Sequence, residues 1–112
     1  MHVTVCSDRF ASGVIAAKNR YSGSDPLGHQ RDWVWRGWQV RYAFRPAESD
    51  DCGVPMLLLH GFGASIGHWQ HNVSAFSQHH SVYALDLVGF GASEKSTTTY
   101  NTDIWTAQVY EF

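Results

Sequence analysis

Pro55-Met56-Leu57-Leu58-Leu59-His60-Gly61-Phe62-Gly63-Ala64-Ser65 is the stretch on which the reading of this chain turns. Met56 to Leu59 is an unbroken apolar run, short enough for a strand buried on both faces. It stops at His-Gly-x-Gly. A buried strand that feeds a glycine turn and then a helix marks the carboxyl edge of a parallel α/β sheet, where such folds place their chemistry. Glycines there let the backbone pass through positive φ and bring main-chain N–H groups close to a ligand.

Working towards the C-terminus, Ser65 is placed to cap a helix with Trp69, Val73 and Phe76 on one apolar face, at i, i+4 and i+7. His79-His80 end it, where a protonated imidazole suits the negative end of the helix dipole. Ser81 to Leu87 is the next strand. Strand, helix and strand then make a right-handed crossover with parallel strands. Asp86-Leu87-Val88-Gly89-Phe90-Gly91-Ala92-Ser93 follows, then a Ser- and Thr-rich loop from Glu94 to Tyr100. Asn101 caps a last helix whose face is Trp105, Val109 and Phe112. That helix reaches Phe112 without a stop signal, so the chain is expected to be cut rather than finished. Gly-Phe-Gly-Ala-Ser occurs at 61–65 and again at 89–93, which reads as two similar turn demands and not a repeat.

Towards the N-terminus, Arg45 to Gly53 is a polar loop. Before it, Trp38, Val40, Tyr42 and Phe44 alternate with Gln39, Arg41 and Ala43, the period of a half-buried strand. Trp33 and Trp35 begin the same alternation ahead of Arg36-Gly37, which predicts an antiparallel hairpin. Residues 1–31 show no sustained period and are expected to be a poorly ordered leader. Val14 to Lys18 could form a turn or two of helix. The domain is expected over residues 32–112.

The chain has 112 residues, the size of one small domain, with five Trp for a core and a formal net charge of −2. No basic run exists, which argues against nucleic acid or an anionic membrane as partner. No apolar run approaches a membrane span. Cys6 and Cys52 make neither a metal-type pair nor a disulfide framework, which fits a reducing cytosol. The first residues lack the pattern of a secretory signal. The expected setting is cytoplasmic, with a plastid as the alternative suggested by scattered Arg and Ser.

From Trp33 to Phe112 the chain resembles the N-terminal part of the α/β-hydrolase superfamily. The likeness rests on His60-Gly61-Phe62-Gly63 with Trp69 downstream, on the Asp86–Ser93 loop, and on the crossover between them. Its narrower flavour, in the Gly-Phe-Gly-Ala-Ser loops, is similar to cyanobacterial and plastid members, some related to enzymes that de-esterify chlorophyll derivatives. The resemblance implies an antiparallel hairpin followed by a parallel strand–helix–strand unit, with the nucleophile elbow still to come.

It also implies site roles. The backbone N–H of Phe62 would be one oxyanion-hole donor, with Gly61, Gly63 and Trp69 as candidate substrate contacts, although Trp69 reads better as core. His60, Asp86, Gly89, Gly91 and Ser93 would be structural loop residues, with Asp86 accepting loop N–H bonds at the strand end. The substrate would be a small molecule with an ester, amide or related bond. Phe62 stands where haloalkane dehalogenases commonly place Asn, which favours an esterase, a lipase-like enzyme or a C–C bond hydrolase. No cofactor is implied.

Three other patterns compete. Gly63-Ala64-Ser65-Ile66-Gly67 spells Gly-x-Ser-x-Gly, but a nucleophile elbow sits directly between strand and helix. Here the His-Gly-x-Gly loop intervenes, so helix capping by Ser65 is the preferred role. His68 with His71, and His79-His80, lack a converging carboxylate or third His, so no metal site is expected. Gly61, Gly63 and Gly67 partly match a dinucleotide-binding turn, with Asp86 ending the next strand, but the third glycine falls one residue late. In the family the triad runs Ser, then Asp or Glu, then His. None of the three is assignable here, so this chain alone is expected to be inert.

Overall fold

The computed structural model describes residues 21–112. The possible helical turn at Val14–Lys18, and Cys6, lie outside the described residues. Four strands form one mixed sheet: β1 (His29–Trp35), β2 (Trp38–Arg45), β3 (Met56–Leu59) and β4 (Val82–Leu85), in the order β1-β2-β4-β3. The hairpin forms where the alternation places it, with Trp35 opposite Trp38. Arg36 (φ 50°) and Gly37 (φ 81°) turn it. Positive φ at both central residues is the signature of a type I′ turn, whose twist matches that of the strands. β1 starts at His29, three residues inside the stretch expected to precede the domain. β3 and β4 are parallel, Met56 beside Val82 through Leu59 beside Leu85, and β4 is antiparallel to β2.

Alternation along β4 divides the core in two. Val82 and Ala84 join Ala43, Leu58, Ile66 and Val73 on one face, with Met56, Trp69 and Phe76 against them. Tyr83 and Leu85 join Trp35, Val40, Tyr42 and Val88 on the other. That second face is covered by α2 (Thr102–Glu111), whose Trp105, Val109 and the following Phe112 pack there as the helical spacing requires. Asn101 caps α2, its Oδ1 accepting the Ile104 amide at 3.0 Å.

Two expectations about the central stretch change. The strand buried on both faces is β4, not β3: all four β4 residues are buried, whereas Leu57 and Leu59 are 37% and 39% exposed. Among the described residues β3 is the sheet's edge, with β4 as its single neighbour. The helix after Ser65 is also not continuous. A 3-10 segment, Ile66–Trp69, gives way to a separate short helix, α1 (Val73–Phe76). Gly67 and Asn72 are poor helix formers, and the Asn72 amide closes a tight turn on the Trp69 carbonyl at 2.8 Å. Trp69, Val73 and Phe76 nonetheless reach the same apolar cluster.

Cys52 is disulfide-bonded. This corrects the expectation that the cysteines make no disulfide framework, and the support they lent to a cytosolic setting lapses. Among the described residues no helix is long and apolar enough to cross a membrane.

Candidate functional site

At the carboxyl ends of β3 and β4 two loops leave the sheet side by side. The first, His60 to Ser65, turns at once: the Ala64 amide donates to the Gly61 carbonyl at 3.1 Å, with Gly63 at φ 76°. A positive φ at the third residue marks a type II turn and explains a glycine there. Gly61 does not need its conformational freedom, since its φ is not positive and a Cβ added to it would meet nothing within 4 Å. The turn lifts Phe62 out of the surface, leaving it 89% exposed. Among the described residues its N–H donates to no protein acceptor. Ser65 accepts the Gly67 amide at 3.3 Å and is the N-cap of the 3-10 segment. Its side chain thus serves the helix start that its position suggested.

The second loop is organised by Asp86, which is 1% exposed. Its Oδ1 accepts the Ile66 amide at 2.7 Å and its Oδ2 the Ala92 amide at 2.9 Å. One carboxylate therefore ties the start of the 3-10 segment to the turn that carries Gly91. Gly89 also holds a positive φ, 90°. Ser93 donates to the Asp86 carbonyl at 2.7 Å and accepts the Arg41 amide at 2.9 Å, docking this loop on β2 beyond the end of β4.

His60, 5% exposed, forms the second tie. Its Nε2 accepts the Leu87 amide at 3.0 Å and its Nδ1 lies 2.8 Å from the Gly61 carbonyl. Asp86 Oδ1 is 3.9 Å from Nε2. The Phe90 ring packs edge-on to the rings of both His60 and Phe62, with centroids 5.6 and 5.3 Å away.

Beside the loops lies an open groove of about 510 Å³, lined by Leu59, His60 and Leu87 on the sheet side and by Trp105 and Val109 of α2 opposite. The structure thus gathers His60, Gly61, Phe62, Gly63, Asp86, Gly89, Gly91 and Ser93 at one rim. It places Trp69 elsewhere, in the apolar cluster on the opposite face of the sheet. Among the described residues no group of three or more His, Cys, Asp or Glu could hold a metal ion.

Gln108 is the residue that sequence reasoning missed. It is fully buried, its Oε1 accepting the Val88 amide at 3.0 Å and its Nε2 donating to the Asp86 carbonyl at 3.2 Å. A polar residue between Trp105 and Phe112, on the apolar face of α2, was the available signal.

Residues 54–111 match the family model described as alpha/beta hydrolase fold. Over 50 residues the chain is 44% identical to a 1-acylglycerol-3-phosphate O-acyltransferase, ABHD5, of Sus scrofa, covering 45% of this chain and 14% of that protein. Over 63 residues it is 33% identical to a 2-hydroxy-6-oxo-6-(2'-aminophenyl)hexa-2,4-dienoic acid hydrolase of Metapseudomonas resinovorans, covering 54% of this chain and 22% of that protein. The solved epoxide hydrolase CorEH superposes with a TM-score of 0.66 at 28% identity, over 74% of this chain and 28% of the enzyme. The chain therefore spans less than a quarter of the length of the two curated relatives. One relative is mammalian and one bacterial, and they lend nothing to the narrower cyanobacterial and plastid likeness. The dinucleotide-binding alternative is set aside, because the family match runs through the same glycine turn and the Asp86 loop. Over more than half its length it carries this match, and the chain belongs to the α/β-hydrolase fold family.

Proposed function

We propose that this chain supplies the anion-stabilising part of a hydrolase site that acts on an ester, amide or related bond of a small molecule. The donor is the backbone N–H of Phe62, flanked on the substrate side by Gly61 and Gly63. The observation that carries this reading is that amide: it belongs to an exposed residue, has no protein acceptor among the described residues, and is held on a hydrogen-bonded turn at the carboxyl rim of the sheet. A fixed N–H aimed at a developing negative oxygen stabilises the transition state by roughly 3 kcal/mol. No side chain is required for that, which explains how an aromatic residue can occupy the position.

In this reading the nucleophile, the acid and the catalytic His are not residues of this chain, and residues 32–112, with β1 reaching back to His29, are one portion of a hydrolase domain. The 112-residue chain alone is then inert. Incubation with an activated nitrophenyl ester should give no turnover that a serine-directed inhibitor abolishes, and such turnover would overturn the assignment.

The direct test uses a chimaera in which residues 54–111 replace the matching segment of a whole relative such as the dienoic acid hydrolase. Phe62→Pro in that chimaera removes the N–H and should lower kcat by about 100-fold. An unchanged kcat would sink the role given to Phe62.

A further inference from the structure

The Gly61 carbonyl and the Phe62 N–H belong to one peptide unit, whose planarity points them in opposite directions. Whatever holds that carbonyl therefore aims that N–H. Two donors converge on it: the Ala64 amide at 3.1 Å, which closes the turn, and Nδ1 of His60 at 2.8 Å. On the far side of the same ring, Nε2 meets the Leu87 amide at 3.0 Å. A backbone amide only donates and a carbonyl only accepts. The ring is therefore neutral, with its proton on Nδ1.

We infer that His60 is a positioning residue: its Nδ1–H tautomer holds the Gly61–Phe62 peptide with the Phe62 N–H facing away from the protein, and a proton on Nε2 uncouples this loop from the end of β4. The geometry stands by itself, and its catalytic meaning rests on the role proposed for Phe62. Protonation puts a donor opposite the Leu87 N–H, which then loses its acceptor, and turns the new N–H towards Asp86 Oδ1, 3.9 Å away. Asp86 is the charged group that faces the ring. From the other elements the ring packs against Phe90, and Thr102, Trp105 and Tyr110 of α2 line the same groove, of which Tyr110 alone is titratable.

The test is nuclear magnetic resonance on the isotopically labelled 112-residue chain. Long-range proton–nitrogen correlations at neutral pH should show the His60 proton on Nδ1, and the Leu87 amide shift should follow the protonation of the ring on acidification. His60→Asn keeps a donor near the Gly61 carbonyl but offers Leu87 nothing, whereas His60→Gln keeps the acceptor for Leu87. Exchange of the Leu87 amide with solvent should therefore quicken about tenfold in the Asn variant and stay near the original in the Gln variant. The Phe62 and Gly63 amide shifts should change in the reverse order.

A proton on Nε2 at neutral pH, a Leu87 shift indifferent to the ring, or equal effects of the two variants would each overturn the inference. If either variant fails to fold, the tautomer and the titration of the unsubstituted chain decide alone. None of these readouts involves turnover. An unchanged kcat for Phe62→Pro would remove the anion role and leave His60 as assigned, while the wrong tautomer would do the opposite.

Discussion

Gly91 lies so close to Asp86 that a Cβ built on it would sit 2.3 Å from the carboxylate carbon and from both of its oxygens. At φ 55° the backbone there is also one that side chains rarely adopt. Gly91→Ala must displace a buried carboxylate that two backbone amides depend on. The expected cost is about 3 kcal/mol or more, read from the midpoint of urea unfolding. A midpoint unchanged within error would mean that the Asp86 loop relaxes freely.

Asp86→Asn separates charge from geometry. Both carboxylate oxygens accept a backbone N–H, from Ile66 and from Ala92. An asparagine offers one oxygen and one NH2, so one buried amide loses its acceptor and faces a donor. We expect a loss of about 2 kcal/mol by the same measurement, smaller than that of Gly91→Ala.

Gln108 accepts from Val88 and donates to the Asp86 carbonyl. In Gln108→Glu the ionised side chain keeps the first bond but sets an oxygen against that carbonyl. The variant should lose about 2 kcal/mol at neutral pH and recover part of it on acidification, when the protonated acid can donate. Gln108→Leu should be destabilised at all pH values alike. Melting curves of both variants across the acid range check the contrast.

The Arg36 guanidinium, bonded at 2.7 Å, and the Trp35 indole N–H, at 2.6 Å, hold the Glu111 carboxylate below its ordinary value of 4.5. Arg41, with help from Gln39, does the same for Asp32, whose ordinary value is 3.8. A lowered acid contributes stability above its unfolded value and loses that contribution as pH falls through its folded value. Acidification below about pH 4.5 should therefore lower Tm, and Glu111→Gln should flatten that fall. Both acids are exposed and screened, so the change in slope should be small and should shrink further in high salt.

The edge of β3, unpaired among the described residues and with Leu57 and Leu59 beside it, invites association between copies. Leu57→Lys places a charge on that edge without touching either buried cluster. Sedimentation should show self-association of the original chain and less of it for the variant at the same concentration. A monomeric original chain with a sharp cooperative melt would contradict the expectation.

What was legible in the sequence follows from period and turn chemistry. Alternation from Trp33 to Phe44 interrupted by Arg36-Gly37 pointed to a hairpin, and Met56 to Leu59 was delimited on both sides by turn residues. Asn101 with Trp105, Val109 and Phe112 named the last helix and its buried face. The His60 and Asp86 loops were legible because an abrupt change from apolar strand to glycine is local. The break between Trp69 and Val73 was not, because three apolar residues on one face are compatible with one helix or two short ones. Burial of β4 on both sides could not be read either, since Leu57 is as apolar as Leu85 and only sheet order separates them. Gln108 and the two-sided bonding of His60 depend on partners 20 and 27 residues away, and no local pattern announces them.

The order of the strands has a consequence for how the chain comes together. β4 lies between β2 and β3, so the early hairpin cannot find its inner neighbour until residue 85 has been synthesised, and Trp35, Val40 and Tyr42 wait for α2 and Phe112 to shield them. Assembly is therefore governed by distant contacts. The nascent chain must carry a tryptophan-rich ribbon, bare on one side, until α2 has emerged, the interval in which a chaperone has most to offer it.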